Sequence, residues 1–245
     1  MLIRVTNQCN LECKHCFVEG RTKEPDHMSR ETFTKALNTA GRIGARVVLL
    51  SGGEPTLHPD IIWMLQQRFP RFIFILASNG AFVKDEALTK ALLEERKRGL
   101  FLIQVTNDPR YYSEPLPESP LWKDSDLAVT TELCTMMPCR RVKEAGIEVK
   151  RKAPTCFNLR SFTRGGNLLG EAVAGLETNM GKVCSPSVNV DGAVLAGEMD
   201  TCYKLGTVNT SGSRLERQFR KMKCNRCGLV DKLSSEEKRA IGEAS

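Results

Sequence analysis

Short apolar runs alternate along the chain with amphipathic helical segments, and this alternation limits the folds that the chain can adopt. Runs of strand character lie at residues 2–6, 46–50, 72–76, 100–105, 147–152 and 156–162. Apolar residues at spacings of three and four predict helices over residues 29–43, 85–97 and 126–145. Strands that are separated by helices pair in parallel. The pattern therefore predicts an α/β fold in which residues 1–167 form a partial (β/α) barrel of about six parallel strands.

The first two helices carry recognisable sequence signals. Ser29 stands where a helix N-cap is expected, just before the first apolar positions. In the second helix, the side chains predicted to face the core are those of Ala87, Leu88, Ala91 and Leu92.

Three cysteines follow the first strand closely. Cys9, Cys13 and Cys16 are separated by three and then two residues. Three thiolates can each hold one iron of a four-iron, four-sulfur cluster, which leaves the fourth iron open. An open coordination position is what distinguishes catalytic from structural metal sites. The three cysteines are therefore predicted to be the metal ligands of a catalytic site.

Polar residues and glycines follow the next three strands, at the ends where barrel sites are built. Ser51-Gly52-Gly53-Glu54-Pro55 follows the second strand, and its two glycines would let the backbone approach a ligand closely. Ser78-Asn79-Gly80 follows the third strand and Asn107-Asp108 the fourth. Taken alone, each pattern is also compatible with an ordinary turn.

The cysteine spacing, followed 36 residues later by the Gly-Gly-Glu-Pro element, resembles the radical S-adenosylmethionine (radical SAM) enzymes. The resemblance implies a [4Fe-4S] cluster on Cys9, Cys13 and Cys16, with SAM bound at its open iron. His15 takes the position in the last cysteine gap where an aromatic ring is usual. The other cofactor contacts that the resemblance implies are Gly52, Gly53 and Glu54 for the methionine amino group, Ser78, Asn79 and Asn107 for ribose or methionine groups, and Arg164 for the carboxylate.

A second group of cysteines lies towards the end of the chain, at Cys184, Cys202, Cys224 and Cys227. An Asp191-Gly192 pair among them predicts a β-hairpin. The string Cys-x12-Gly-x4-Cys, then Cys-x2-Cys, resembles the SPASM auxiliary-cluster domain in its shorter twitch form. That resemblance implies a second, fully ligated [4Fe-4S] cluster with a role in electron transfer. A four-cysteine zinc site is the alternative.

The change of pattern near residue 168 predicts a domain boundary. Residues 168–230 are expected to form a small auxiliary-cluster domain of a hairpin and a helix, and residues 231–245 a charged tail. The remaining cysteines match no motif and are predicted to be small buried residues, at positions Cys134, Cys139 and Cys156.

Charge is distributed unevenly along a chain whose net charge is +7. Residues 140–164 and residues 201–228 each carry +6. Such stretches attract phosphates, nucleic acid or acidic substrates, although solvated surface lysines and arginines would give the same count. No apolar run reaches 18 residues, and the first residues read as a strand rather than a signal peptide. A cytoplasmic protein without membrane association is expected, because clustered cysteines without a secretion signal favour metal ligation in a reducing compartment.

The resemblance implies reductive cleavage of SAM to a 5′-deoxyadenosyl radical, which abstracts a hydrogen atom from a substrate. Oxidation of the substrate radical through the auxiliary cluster is the first hypothesis, and modification of a peptide side chain is the second. Modification of a nucleoside or nucleic-acid base is a third, which the basic stretches favour. A non-enzymatic zinc-binding protein is the alternative of a different class. The electron donor is expected to be an external flavodoxin or ferredoxin, and the substrate a small molecule, peptide or nucleobase.

Overall fold

A computed structural model describes most of the barrel and part of the C-terminal region. The described residues are 1–16, 18, 26–123, 127–130, 186–198, 200 and 202–221. The predicted strands at 147–152 and 156–162 and the tail at 231–245 lie outside them. So do Arg164 and the cysteines Cys134, Cys139, Cys156, Cys184, Cys224 and Cys227.

Within these ranges, eight strands form one sheet. They are β1 (Leu2–Thr6), β2 (Val47–Gly52), β3 (Ile73–Ser78), β4 (Phe101–Thr106), β5 (Ala128–Thr130), β6 (Ser187–Val188), β7 (Ala193–Leu195) and β8 (Lys204–Thr207). Their order across the sheet is β5-β4-β3-β2-β1-β6-β7-β8. The pairings from β5 to β6 are all parallel, whereas β7 and β8 add antiparallel strands. A mostly parallel sheet with connecting helices is the predicted α/β partial barrel.

In the part of the chain that the structure describes, four α-helices accompany the sheet: α1 (Arg30–Arg42), α2 (Ile61–Gln66), α3 (Glu86–Lys97) and α4 (Gly212–Lys221). Ser29 caps α1 as predicted, since its hydroxyl accepts a hydrogen bond from the backbone N–H of Thr32 at 3.1 Å. Asp85 caps α3 by the same means, through the N–H of Leu88 at 2.9 Å. Each cap satisfies a backbone donor that the first helical turn leaves without a partner.

The main core fills the space between the sheet and its helices. Alternate residues of the strands point towards this core, for example Ile3 and Val5 of β1 and Leu50 of β2, all with 0% exposure. The other face of the sheet carries a smaller apolar cluster of Val47, Ile73 and Ile75. The two faces therefore differ, and the second one is the concave face of the partial barrel.

Two of the sequence predictions need correction. Residues 128–130 are not helical, because β5 pairs in parallel with Gln104–Thr106 of β4 and extends the sheet. Ala87 of α3 is exposed rather than buried. The residues of that helix that are buried are Leu92 and Glu95, and Leu88 and Ala91 are half-buried.

The Asp191-Gly192 hairpin is confirmed. Gly192 has a φ of 80°, a left-handed conformation that glycine adopts without strain, and its N–H donates to the carbonyl of Asn189 at 2.8 Å. The hairpin does not stand apart from the barrel, because β6 pairs with β1. The predicted boundary at residue 168 falls outside the described residues and remains a prediction. None of the described helices is long and apolar enough to cross a membrane.

Candidate functional site

The loop with the first three cysteines starts at the carboxyl end of β1. Cys13 is buried, and Cys9 and Cys16 are half-buried. The backbone N–H of Leu11 donates to the sulfur of Cys9 at 3.4 Å. This contact holds the sulfur of Cys9 against the backbone of its own loop.

A second loop, residues 107–114 after β4, holds the cysteine loop from the side. The N–H of Lys14 donates to the carbonyl of Tyr111 at 3.0 Å, and the N–H of Glu12 donates to the hydroxyl of Ser113 at 2.9 Å. The ring of His15 packs on Tyr112, with 4.8 Å between the ring centroids. The cysteine loop is therefore anchored at Glu12, Lys14 and His15, on both sides of its second cysteine.

The Gly-Gly-Glu-Pro turn after β2 packs directly on the start of the cysteine loop. The N–H of Gly53 donates to the carbonyl of Thr6 at 2.8 Å, and the N–H of Glu54 donates to that of Gln8 at 2.7 Å. A Cβ on Gly53 would lie 2.1 Å from the Gln8 oxygen, and one on Gly52 would lie 2.2 Å from the Thr6 oxygen. The glycines are therefore needed for backbone to meet backbone, a close approach that the sequence had suggested for a ligand.

Glu54 joins two parts of the site through its buried carboxylate. One oxygen accepts hydrogen bonds from the N–H and the hydroxyl of Thr56 and from the hydroxyl of Ser78, and the other accepts one from the N–H of Asn79 at 2.7 Å. Burial raises the pKa of Glu54, and these four hydrogen bonds oppose that rise. The carboxylate fixes the end of β3 relative to the turn after β2.

Asn79 extends this connection to the cysteine loop. Its side-chain amide donates to the side-chain oxygen of Asn10 at 2.9 Å, and its own oxygen accepts from the N–H of Ala81. Asn10 lies between the first two cysteines. The structure thus brings together Cys9, Cys13, Cys16, His15, Gly52, Gly53, Glu54, Ser78 and Asn79.

Asn107 and Asp108 build the loop after β4 rather than standing open. The amide of Asn107 donates to the carbonyl of Glu114 at 3.2 Å, and the carboxylate of Asp108 accepts from the side chain of Arg110. Both residues are buried. Asn107 and Asp108 therefore stabilise the loop of residues 107–114, which hydrogen-bonds to the cysteine loop.

Tyr111 and Tyr112 are site residues that the sequence did not single out as such. The hydroxyl of Tyr112 shares a hydrogen bond of 2.7 Å with Thr106, and burial raises its pKa, so the group stays protonated. Burial also lowers the pKa of His15, which a hydrogen bond with the Tyr111 backbone opposes. Tyr111 and Tyr112 follow the polar residues at the end of β4, and this position in the sequence could have identified them as site residues.

The three thiols of the cysteine loop are donors of the kind that iron–sulfur clusters use. Within the described ranges, no three His, Cys, Asp or Glu side chains form a group that could hold one metal ion. A four-iron cluster does not require such a group, because each thiolate binds its own iron. Cys9, Cys13 and Cys16 on one anchored loop supply one thiolate for each of three irons.

Of the second set of cysteines, only Cys202 lies in the described residues. It follows β7, and a Cβ on Gly197 would lie 2.8 Å from its sulfur. Arg4 of β1, which is 3% exposed, binds the same loop through the carbonyl of Glu198 at 2.8 Å and the carboxylate of Asp200. Burial raises the pKa of Glu198. The glycine of the predicted pattern is thus in contact with its cysteine.

Comparison with known proteins decides the family of the barrel. Residues 3–109 match the model of the radical SAM superfamily. This part of the chain is therefore similar to radical SAM domains. It contains the three-cysteine loop, the Gly-Gly-Glu-Pro turn and the polar ends of β3 and β4.

Curated relatives of this domain match only part of their own length. A probable GTP 3′,8-cyclase of Pyrococcus horikoshii is 34% identical over 95 residues, which is 38% of this chain and 31% of that protein. A tungsten-containing aldehyde ferredoxin oxidoreductase cofactor-modifying protein of Pyrococcus furiosus is 31% identical over 91 residues, 36% of this chain and 26% of that protein. The chain thus spans about a third of the length of the curated relatives it matches.

Solved structures share the fold over most of the chain. Streptococcus suis SuiB bound to S-adenosylmethionine superposes with a TM-score of 0.56 at 14% identity, covering 96% of this chain and 74% of that one. anSMEcpe with bound AdoMet superposes with a TM-score of 0.53 at 16% identity, covering 98% and 87%. These radical SAM proteins support the partial-barrel fold of this chain.

Proposed function

We propose that this protein is a radical SAM enzyme that cleaves SAM reductively and abstracts a hydrogen atom from its substrate. The observation that carries the proposal is the three-cysteine loop, which is fixed by hydrogen bonds to the ends of three other strands. When bound, a [4Fe-4S] cluster and SAM supply the one-electron chemistry that generates a 5′-deoxyadenosyl radical. The chain supplies the ligands and the position.

Each group of residues has a proposed role in holding the cofactors. Cys9, Cys13 and Cys16 hold three irons. The backbone of Gly52 and Gly53 and the end of β3 at Ser78 and Asn79 lie beside that loop, where the methionine and ribose groups of SAM would bind. Further roles are proposed for His15, for Asn107 and, outside the described residues, for Arg164.

Glu54 acts mainly through position in this proposal. Its carboxylate already accepts four hydrogen bonds from the chain. It therefore sets the distance between the turn after β2 and the end of β3, and so the width of the cofactor site.

A second [4Fe-4S] cluster on Cys184, Cys202, Cys224 and Cys227, in a twitch-like domain, is also part of the proposal. The hairpin before Cys202 and the contact between Gly197 and Cys202 support it. Such a cluster would accept the electron that oxidation of the substrate radical releases. Zinc in the same four-cysteine site is the competing assignment.

A nucleotide is the substrate class favoured among the alternatives. The relatives named GTP 3′,8-cyclase match the radical SAM domain at 34% identity over 95 residues. The solved structures include SuiB bound to a precursor peptide, which keeps a peptide substrate as the second candidate. Helix α4 presents Arg214, Arg217 and Arg220 at exposed positions, and such a basic face attracts phosphate.

The proposal also includes an electron donor and a location. We expect a small flavodoxin or ferredoxin to donate the electron, and the protein to work in the cytoplasm.

The experiment uses protein that is reconstituted with iron and sulfide without oxygen. Dithionite and SAM are added, and 5′-deoxyadenosine is measured by chromatography. Wild type should form it, and Cys13→Ala should form none, because one iron loses its thiolate. Cys139→Ala, at a cysteine outside both motifs, is the matched control and should behave as wild type. Wild-type protein that holds iron on this loop but forms no 5′-deoxyadenosine would overturn the proposal.

A further inference from the structure

The concave face of the sheet changes from apolar to polar on the way to the cysteine loop. Its lower part is the cluster of Val47, Ile73 and Ile75, against which Leu49, Leu100 and Leu102 pack. The next residues on the same face are polar or small: Arg4, Ser51, Ala77 and Gln104. Apolar side chains thus close the bottom of the partial barrel, and a polar row lies above them.

The strand register places this polar row at one level of the sheet. Arg4 pairs with Ser51, and Ala77 pairs with Gln104. Ser51 and Ala77 each follow directly after the paired residues Leu50 and Leu76. The row is therefore continuous across β1 to β4, and one or two residues separate it from Thr6, Gly52 and Ser78, where the cofactor site begins.

Gln104 faces this side of the sheet with a side-chain amide that no protein group pairs among the described residues. Its residue is 9% exposed, and its amide makes no hydrogen bond in the part of the chain that the structure describes. Ser51, half-buried in the same row, likewise makes none there with its hydroxyl. Neither the Gln104 amide nor the Ser51 hydroxyl is among the polar atoms that are sealed from solvent without a partner, so both groups can bind a ligand or a water. Arg4 differs, since Glu198 and Asp200 occupy its guanidinium.

The size and chemistry of the row define what fits it. Ser51 and Gln104 stand on strands two apart, about 10 Å between their backbones. Ala77 between them has the smallest side chain that still points from the sheet, so it leaves room for a ring. A glutamine amide offers a donor and an acceptor side by side, which matches the edge of a nucleobase. A serine hydroxyl can donate to or accept from a sugar hydroxyl.

We propose that the row Ser51–Ala77–Gln104 is the substrate subsite and that it holds a nucleoside. Gln104 binds the base edge, Ala77 lies under the ring, and Ser51 faces the ribose. This inference rests on the proposed function, because the row lies beneath the site where the radical would form. It assigns the residues that select the substrate.

The test measures binding of guanosine and of GTP to the reconstituted protein by calorimetry, without reductant and with SAM present. Gln104→Leu keeps the side-chain size but removes both hydrogen-bonding groups, and Ala77→Leu fills the space under the ring. Each should raise the dissociation constant of guanosine at least about tenfold, the effect expected from losing a bidentate contact. Ser51→Ala is the mildest change and should raise it several-fold.

Gln67→Leu is the matched control. That glutamine lies after α2 and donates to the carbonyl of Trp63 at 3.1 Å, away from the row. It should bind guanosine as wild type does. The cluster absorbance and circular dichroism of every variant report whether it folds. If Gln104→Leu or Ala77→Leu does not fold, the dissociation constant of Ser51→Ala still tests the subsite.

Several results would overturn the subsite. They are no binding of guanosine or GTP by wild type, equal binding by Gln104→Leu and Ala77→Leu, or binding of a capped alanyl-serine dipeptide in preference to guanosine. A matching loss of SAM affinity in Gln104→Leu would also do so, because Gln104 would then contact the cofactor. Wild type that binds guanosine but never cleaves SAM would refute the proposed function alone, whereas cleavage without nucleoside binding would refute the subsite alone.

Discussion

At the scale of single residues, the Glu54 carboxylate shows how tightly the site is specified. Two of its four hydrogen bonds come from backbone N–H groups, that of Thr56 to one oxygen and that of Asn79 to the other. In Glu54→Gln, the new NH2 group must face one of these donors, because backbone cannot rotate away. We expect the variant to lose about 1–3 kcal/mol of unfolding free energy, measured by urea denaturation.

The control for that change is Glu94→Gln, on the exposed face of α3, which should leave stability within about 0.5 kcal/mol of wild type. If Glu54→Gln is as stable as the control, the four hydrogen bonds of the Glu54 carboxylate make no net contribution to the unfolding free energy.

Gly53 tests whether the turn after β2 positions the cysteine loop. In Gly53→Ala, the added Cβ meets the Gln8 oxygen at 2.1 Å, so the two backbones must separate. We expect Gly53→Ala to lose about 2–3 kcal/mol of unfolding free energy. It should also retain less iron after reconstitution and desalting. Gly41→Ala is the matched control, because its Cβ would lie at 3.4 Å from a flexible arginine and helix α1 favours alanine. Equal iron retention by Gly53→Ala and Gly41→Ala would show that the turn after β2 does not position the cysteine loop.

His58 makes the stability depend on pH. Its Nδ1 accepts from the N–H of Asp60 and its Nε2 donates to the carbonyl of Met28, which is the pattern of a neutral ring. Burial lowers the pKa of His58 below its usual 6.5. The unfolded chain therefore takes up a proton first as the pH falls, and the unfolding free energy declines below about pH 6.5. His58→Gln should show a shallower decline in urea titrations between pH 7.5 and 5; an unchanged slope would contradict this origin.

At the scale of elements, a buried ion pair joins α2 to α3. Arg68, just after α2 and 0% exposed, binds the Glu95 carboxylate at 2.9 Å and the carbonyls of Glu95 and Gly99. Burial by itself would raise the pKa of Glu95, but its hydrogen bonds from Gln66, Arg68 and Arg98 outweigh that and lower it. The pair therefore also satisfies carbonyls at the end of α3.

Arg68→Met should remove about 3–5 kcal/mol of unfolding free energy, because it leaves a buried carboxylate without its main partner. The double variant Arg68→Met with Glu95→Leu should recover part of that loss, since no charge then stays buried. Thermal or urea unfolding of the two proteins gives the comparison. A double variant that is less stable than the single one would show that the charge is not the cause.

The regular elements followed from local patterns, and the exceptions have tertiary causes. The strand at Leu2–Thr6 and the cap at Ser29 were predicted at the right residues, because periodicity and capping are local. The three-residue strand β5 was predicted as helix, because its pairing with β4 across 24 residues decides its conformation. Ala87 is predicted to face the core but is exposed, whereas the charged Glu95 of the same helix is buried against Arg68, a tertiary contact that the helical pattern does not reveal.

At the scale of the whole molecule, the sequence predicts the proposed cluster ligands but not the residues that hold their loop in place. Cysteine spacing is a local signal, so Cys9, Cys13 and Cys16 could be read from the sequence. The bonds that anchor their loop to Tyr111 and Ser113 span about a hundred residues and leave no such pattern. The reason for the glycines at 52 and 53 emerged only when two distant backbones were seen to meet.

Cys202 and the first cysteine loop lie towards opposite ends of β1, and substitutions at each can test separately which metal the two proposed sites hold. The first loop follows Thr6, whereas the loop with Gly197 and Cys202 follows β7, whose Leu195 pairs with Ser187 next to Leu2. Arg4 reaches that second loop from the middle of β1. If each group binds a four-iron cluster, wild type should hold about eight irons per chain, and Cys202→Ala about four.

The remaining irons of Cys202→Ala should belong to the first loop, so the variant should still form 5′-deoxyadenosine with dithionite, while Cys13→Ala should not. Iron and zinc are counted together by mass spectrometry after anaerobic reconstitution. One zinc and four irons in wild type would assign the second group to zinc, and its loss in Cys202→Ala would confirm that. In that case, the substrate radical would have no internal electron acceptor, and oxidation would give way to a reaction that needs none.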